Sequence, residues 1–201
     1  MDIKDKLQKL LMEEVSVPPE AFDEIESELR TNARQMGIDY DHAIIVNTNR
    51  TLRSAKDMGD WSSKRKQWAG YGSSWLDWVR SAMPHWLATK FYVLTVNNMD
   101  IVSVNDPKSM VAFTKKYVAR PGAPKDAAID FQKLYDEGKG GVAFRPYNKA
   151  WAKMGNDAFF WYRSIDVDSI VIVNNKTIRS VKLLLDASEI IADYKERNSD
   201  Y

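Results

Sequence analysis

Cysteine is absent from the 201 residues, and histidine occurs twice, as His42 and His85. The first absence excludes disulfides, thiolate zinc sites, iron–sulfur clusters and cysteine nucleophiles together. Two imidazoles are too few for a histidine-rich metal centre. No run approaches the ~18 consecutive apolar residues that a membrane-spanning helix needs. The opening Met1-Asp2-Ile3-Lys4-Asp5-Lys6 alternates charge and lacks the apolar stretch of a signal peptide, so a cytoplasmic setting is expected. A Walker loop, a G-x-S-x-G elbow, an H-E-x-x-H helix and the Asp/Asn spacing of an EF-hand are all missing, and no metal is expected. Gly70-Tyr71-Gly72 is a bare G-x-G after a polar stretch, which does not meet the dinucleotide fingerprint. Neither charge sign dominates: 29 basic residues face 28 acidic ones, a net charge of +1, so bulk electrostatics does not single out nucleic acid.

What remains is an ordinary globular composition, 44% hydrophobic and 28% charged, at a length suited to one domain. Residues 2–15 place Ile3, Leu7, Leu10, Leu11 and Val15 on one face, the pattern of an amphipathic helix. Pro18-Pro19 ends it and opens a second helix, in which Phe22, Ile25, Leu29, Ala33 and Met36 align and Gly37 is the stop. The pair predicts an N-terminal helical hairpin, a separable arm over residues 1–36, ahead of a domain over residues 37–201.

From there the period shortens. Ala43-Ile44-Ile45-Val46 reads as a buried strand and residues 57–72 as a long loop. Ser73 or Ser74 is placed to cap a helix from Trp75 to about Met83. Strands over 91–96 and 101–104 are expected to form a tight hairpin across Asn97-Asn98. Asp106-Pro107 opens a helix, 119–126 is a Pro- and Gly-rich loop, and 129–135 is a helix stopping at Gly138. Strands follow at 142–144, 159–162 and 169–173, with a closing polar helix at 186–197. Strands and helices mix without βαβ alternation, which predicts the α+β class: a mixed, mostly antiparallel sheet flanked by helices. Residues 45–54 (IVNTNRTLRS) also read like 172–180 (IVNNKTIRS), two similar strand-turn units.

Charge and aromatics are unevenly spread. Residues 50–68 hold Arg50, Arg53, Lys56, Lys64, Arg65 and Lys66 against Asp57 and Asp60. Such a run is either a solvated loop or a patch for an anionic partner. Trp61, Trp68, Tyr71, Trp75, Trp78 and Trp86 are crowded into the same region. A stripe of this kind is core, or in part a surface that stacks on a base or a nicotinamide ring. Gly70 and Gly72 leave room for close approach, and a helix start at Ser73-Ser74 favours an anion. The segment 71–78 is therefore expected to line the main pocket. Asp166-Val167-Asp168 sets two carboxylates on one side of an extended chain, a candidate for acid–base work. His85, between Pro84 and Trp86, is either structural or catalytic.

The order of strand 43–46, polar loop, Gly70-Tyr71-Gly72-Ser73-Ser74, aromatic helix and strands 91–96 and 101–104 resembles the first half of an ADP-ribosyltransferase-like fold. Trp75-Leu76-Asp77-Trp78, Phe91-Tyr92-Val93-Leu94, Gly141-Val142-Ala143-Phe144-Arg145-Pro146-Tyr147 and Asp166-Val167-Asp168-Ser169-Ile170 are similar to uncharacterised proteins of tailed phages. The resemblance implies an effector in the host cytoplasm that transfers ADP-ribose from NAD to a host macromolecule. It assigns the nicotinamide shelf to Tyr71, Ser73 and Trp75, the phosphate contact to Arg53 or Arg145, and the carboxylate that stabilises the oxocarbenium-like ribose to Glu137 or Asp166. The residues by themselves support another class equally: a non-enzymatic binding protein that uses the aromatic-basic segment 61–86 against a host protein or nucleic acid.

Overall fold

The computed structural model describes residues 17–119, 129–153 and 157–199. The helix expected over 2–15 and nearly all of the loop expected over 119–126 lie outside these residues. Six α-helices are described: α1 (Pro19–Gln35), α2 (Gly72–Ala82), α3 (Pro107–Tyr117), α4 (Phe131–Asp136), α5 (Lys149–Ala152) and α6 (Ser188–Ser199). None of the helices among the described residues is long and apolar enough to cross a membrane. The strands are β1 (Ile44–Thr48), β2 (Gln67–Tyr71), β3 (Lys90–Val96), β4 (Ile101–Ser103), β5 (Gly141–Phe144), β6 (Ser169–Ile172) and β7 (Ile178–Asp186).

Local chemistry sets several of these boundaries. Pro19 occupies the first turn of α1, where a missing N–H costs nothing. The helix closes with Ile38 N–H on the Ala33 carbonyl (2.8 Å) and Gly37 N–H on that of Arg34 (3.1 Å), Gly37 taking the left-handed conformation at φ 68°. Asp106 caps α3 in a reciprocal box with Ser109, as its Asp-Pro start implies.

The strands form one sheet in the order β4-β5-β6-β2-β1-β3-β7, antiparallel except for the β4–β5 pair. The fold is thus α+β with a mixed, mostly antiparallel sheet. β3 and β4 stand five strand spacings apart, about 24 Å in a flat sheet. The chain from Val96 to Ile101 reaches at most ~17 Å. The sheet must therefore curl, and residues 97–100 bridge its mouth: Asn97 N–H meets the Thr177 carbonyl and Gly140 N–H meets that of Asp100, both at 2.8 Å. Asn97-Asn98 marks a real turn, but it joins distant strands and no hairpin forms.

Side chains sort by the two-residue period of the strands. Tyr92, Leu94 and Val96 of β3 point inward with Ile170 and Ile172 of β6, forming one inner cluster that Leu52 and Met58 of the β1–β2 connection complete. The outer face is split in two. Phe91 and Val93 meet α1, α2 and α6, while Val171 and Val173 meet α3, α4 and an aromatic group around Trp161. Each such side chain contributes roughly 1.5–3 kcal/mol on burial.

Several expected elements are corrected here. The stretch 57–72 is no uninterrupted loop, because β2 lies within it. Residues 159–162 belong to a 3-10 helix, Asp157–Ser164. Helix α2 begins at Gly72 with no side-chain cap, so neither Ser73 nor Ser74 caps it. Ile129 sits in an isolated bridge to Val118 ahead of α4, and Asp186 ends β7, a nine-residue strand absent from the sequence expectation. Most consequentially, α1 buries Phe22, Ile25, Leu29 and Ala33 against the sheet. The described part of the expected arm thus shares one cluster with Ile45, Phe91 and Val93 of the sheet.

Candidate functional site

Four of the residues singled out in sequence, Tyr71, Ser73, Arg145 and Asp168, come together where β2 ends, β5 ends and β6 begins. Tyr71, 9% exposed, carries the Arg145 guanidinium over its ring at 4.6 Å. Arg145 also pairs with Asp168 (Nε to Oδ2, 3.4 Å) and donates to the Asp41 carbonyl (3.1 Å). Ser73 Oγ donates to Asp41 Oδ1 at 2.8 Å, and Arg30 forks onto the same carboxylate at 3.1 and 3.3 Å. The Arg30 hydrogen bond, followed by that of Ser73, holds the Asp41 carboxyl below its ordinary range. Burial pushes the Tyr71 phenol up, with Arg145 opposing. Every charge named here has an opposite charge beside it.

The other candidates are placed elsewhere. Trp75 packs its indole over Gly70 and edge-on to Phe91 at 6.4 Å, as part of the outer core. Glu137 follows α4 on the outer face, accepting the Tyr117 hydroxyl and pairing with Lys116, both at 2.7 Å. Those two partners, Lys116 foremost, hold its carboxyl below the ordinary range. Glu137 and Tyr71 thus lie on opposite faces of the sheet. Asp166 is exposed, and the chain bends at residues 167–168, so the extended Asp166/Asp168 pair does not form. Asp168 instead accepts the Tyr147 N–H at 2.6 Å. Arg53 lies in the β1–β2 connection, and His85 is exposed beside Trp86.

Two clefts stand out among the described residues, and neither has a residue of 71–78 in its lining. One, of about 330 Å³, lies between Ile38, Asp39 and His42 on one side and Val96 and Lys182 on the other. The second, of about 340 Å³, is built by the β1–β2 connection and the first residue of β2, from Arg50, Lys56, Asp57, Gly59, Arg65, Gln67 and their neighbours.

Its shape follows from two side-chain caps. Asp57 Oδ2 accepts the N–H groups of Arg53 (2.6 Å) and Ser54 (3.0 Å), and Ser54 Oγ accepts that of Lys56, folding a 3-10 turn over Ala55–Asp57. The Arg53 and then the Ser54 N–H hold the Asp57 carboxyl below its ordinary range. Asp60 accepts Ser62 N–H at 2.9 Å and Asn175 N–H at 3.1 Å. Burial pushes the Asp60 carboxyl up, and these donors outweigh it, so its range is lowered. Trp61 N–H on the Val173 carbonyl (2.7 Å) ties the connection to the end of β6.

The basic run does not act as one unit. Lys64 turns away to Gln132 and over the Trp61 ring, and Lys66 carries its ammonium over the Phe131 ring at 4.6 Å, whereas Arg50, Lys56 and Arg65 line the cleft. The aromatic half of the segment stays with the cores: Trp61 packs on Phe131 at 5.4 Å, and Trp68 borders the same cluster. Sequence reasoning flagged these cations but overlooked the S-x-x-D box at Ser54–Asp57 that draws them together. No group of three or more metal-ligating side chains occurs among the described residues.

No known family, curated protein or solved structure matches this chain.

Proposed function

We propose that the protein is a non-enzymatic binding module that takes a phosphate-bearing ligand in the cleft of the β1–β2 connection. One observation carries this reading: three cations of a single run, Arg50, Lys56 and Arg65, line one cleft, with one carboxylate, Asp57, whose Oδ2 accepts two backbone N–H groups. Charge-assisted hydrogen bonds from Arg and Lys to phosphate oxygens are about twice as strong as neutral ones. To test it, the protein is titrated with inorganic tripolyphosphate and with a labelled single-stranded DNA of about 30 nucleotides at low salt. At least one of them binds. The triple variant Arg50→Glu, Lys56→Glu, Arg65→Glu weakens that binding tenfold or more, a loss of ~1.4 kcal/mol or greater, at an unchanged melting temperature. Binding of neither, or binding that ignores the charge reversal, refutes the reading.

A second reading, an effector that transfers ADP-ribose from NAD to a host macromolecule, draws on the convergence of Tyr71, Ser73 and Arg145 around Asp41. Glu137 is engaged by Lys116 and Tyr117, which leaves Asp166 as the carboxylate for that reading. It requires NAD to bind, and ligand at ~100 times its dissociation constant adds ~2.7 kcal/mol of stability. A melting temperature unmoved by millimolar NAD removes it.

A further inference from the structure

We infer that the ligand is a nucleic-acid strand, held by its phosphates along a track that leaves the cleft and continues over Lys176 and Arg179. The inference rests on the binding reading above and extends it from a cleft to a line. Its starting point is the internal similarity of 45–54 and 172–180. β1 and β6 flank β2 on its two sides, each antiparallel to it, so the two similar segments run in the same direction. The turn Ala55–Asp57 packs against both the turn Asn175–Thr177 and β7, which brings the ends of the two segments together. In the alignment Arg50 corresponds to Lys176 and Arg53 to Arg179. The contact between the two turns thus brings two pairs of exposed cations, Arg50 with Arg53 and Lys176 with Arg179, onto neighbouring stretches of the chain.

Charge bookkeeping supports a line. Apart from Lys64 and Lys66, which lie over the Trp61 and Phe131 rings, residues 50–66 and 174–180 hold six basic side chains against two carboxylates, in a chain whose net charge is +1. Both carboxylates, Asp57 and Asp60, accept backbone N–H groups, and so shape the turns. Lys176 and Arg179 are exposed, and the Arg179 guanidinium donates to the Asn97 amide at 3.0 Å, whose own N–H meets the half-buried Asp100 carboxylate at 2.9 Å. Cations beyond the cleft find phosphates only on a ligand longer than the cleft. The nearby rings do not offer stacking platforms. Trp61 lies between Lys64 and Phe131, and Trp68 borders the outer core. Contact through phosphates alone positions a strand without reading its bases.

The test compares wild type with Lys176→Glu/Arg179→Glu and the milder Lys176→Gln/Arg179→Gln, all as full-length chains with melting temperatures recorded. The probes are tripolyphosphate, single-stranded DNA of about 6, 15 and 30 nucleotides, and polyglutamate matched in charge. Expected for wild type is an affinity that rises with strand length, varies little with base sequence, and exceeds that for polyglutamate. Each loss of two phosphate contacts lowers the slope of log K against log salt by about 1.4 for a single strand. The Glu variant loses affinity for the longest strand about tenfold, the Gln variant less, and both keep wild-type affinity for tripolyphosphate. The inference is overturned if both variants bind the long strand with wild-type affinity and slope, or if tripolyphosphate binds as tightly as the strand. In either case the cleft reading stands. Polyglutamate binding as tightly as DNA overturns the nucleic-acid assignment, and binding of no probe at all removes cleft and track together.

Discussion

Deleting residues 1–36 is expected to leave the rest of the chain without a cooperative melt. Phe22, Ile25 and Leu29 of α1 are at most 1% exposed and pack with Ile45, Phe91 and Val93 of the sheet. Burial of these three contributes about 5–9 kcal/mol, at roughly 1.5–3 kcal/mol each. That approaches the whole stability of a typical domain, ~5–15 kcal/mol. Removal also strips the Leu184 carbonyl of the Asn32 amide that meets it at 2.9 Å, and Arg80 of its 2.6 Å pair with Asp23. The point substitution Leu29→Ala serves as a graded control at ~2–5 kcal/mol. Circular dichroism and thermal unfolding of residues 37–201 decide the matter. A fragment that melts cooperatively near the full-length temperature would restore α1 to the role of an arm.

Replacing Trp161 by Ala is expected to cost ~3–5 kcal/mol, the range for a large buried aromatic. Trp161 is 1% exposed at the centre of the outer aromatic group, with Phe113 at 5.2 Å, Tyr162 at 5.5 Å and Phe144 at 5.9 Å. Its indole N–H donates to Thr114 Oγ1 at 3.0 Å, so truncation empties a cavity and unmakes a hydrogen bond. Trp86 gives the contrast. It is 55% exposed and touches Trp78 edge-on at 5.5 Å, so Trp86→Ala should stay within about 0.5 kcal/mol of wild type. Denaturant midpoints at constant m-value measure both. Equal losses would mean that the outer aromatic group is not the anchor of its layer.

Local signals in the sequence were informative wherever the cause was local. The entry and exit of α1, the Asp106 cap and the β-branched runs of β1 and β6 follow from neighbours within a few residues. β2 was hidden by Gly70, a poor strand residue that is needed because an added Cβ would come within 2.2 Å of the Trp75 ring. The aromatic run 159–162 suggested a strand, yet Trp161 and Tyr162 both enter the same cluster. Successive strand residues point to opposite faces, and a helical turn permits what a strand does not. The identity of strand partners was not legible, since Trp68 pairs with Val171 and Leu94 with Val181, 103 and 87 residues apart in sequence. The same holds for the candidate sites. The basic run stands out in composition, whereas the meeting of Arg145 with Tyr71, Asp41 and Asp168 depends on three strands reaching one end of the sheet.

The closing of the sheet also has a consequence in time. During synthesis β1, β2 and β3 emerge early and can pair through β1, but the second partners of β2 and β3 are β6 and β7, the last two strands to be made. Until then the faces of β1, β2 and β3 meant for the inner cluster lack Ile170, Ile172 and Ile178, and a nascent chain carries apolar surface open to wrong partners. Pairings this far apart in sequence also place refolding with the slower β-rich domains, on a scale of milliseconds to seconds. The short bridge at 97–100 can be made only after the curl is complete, which ties the two outer layers into one late, concerted step.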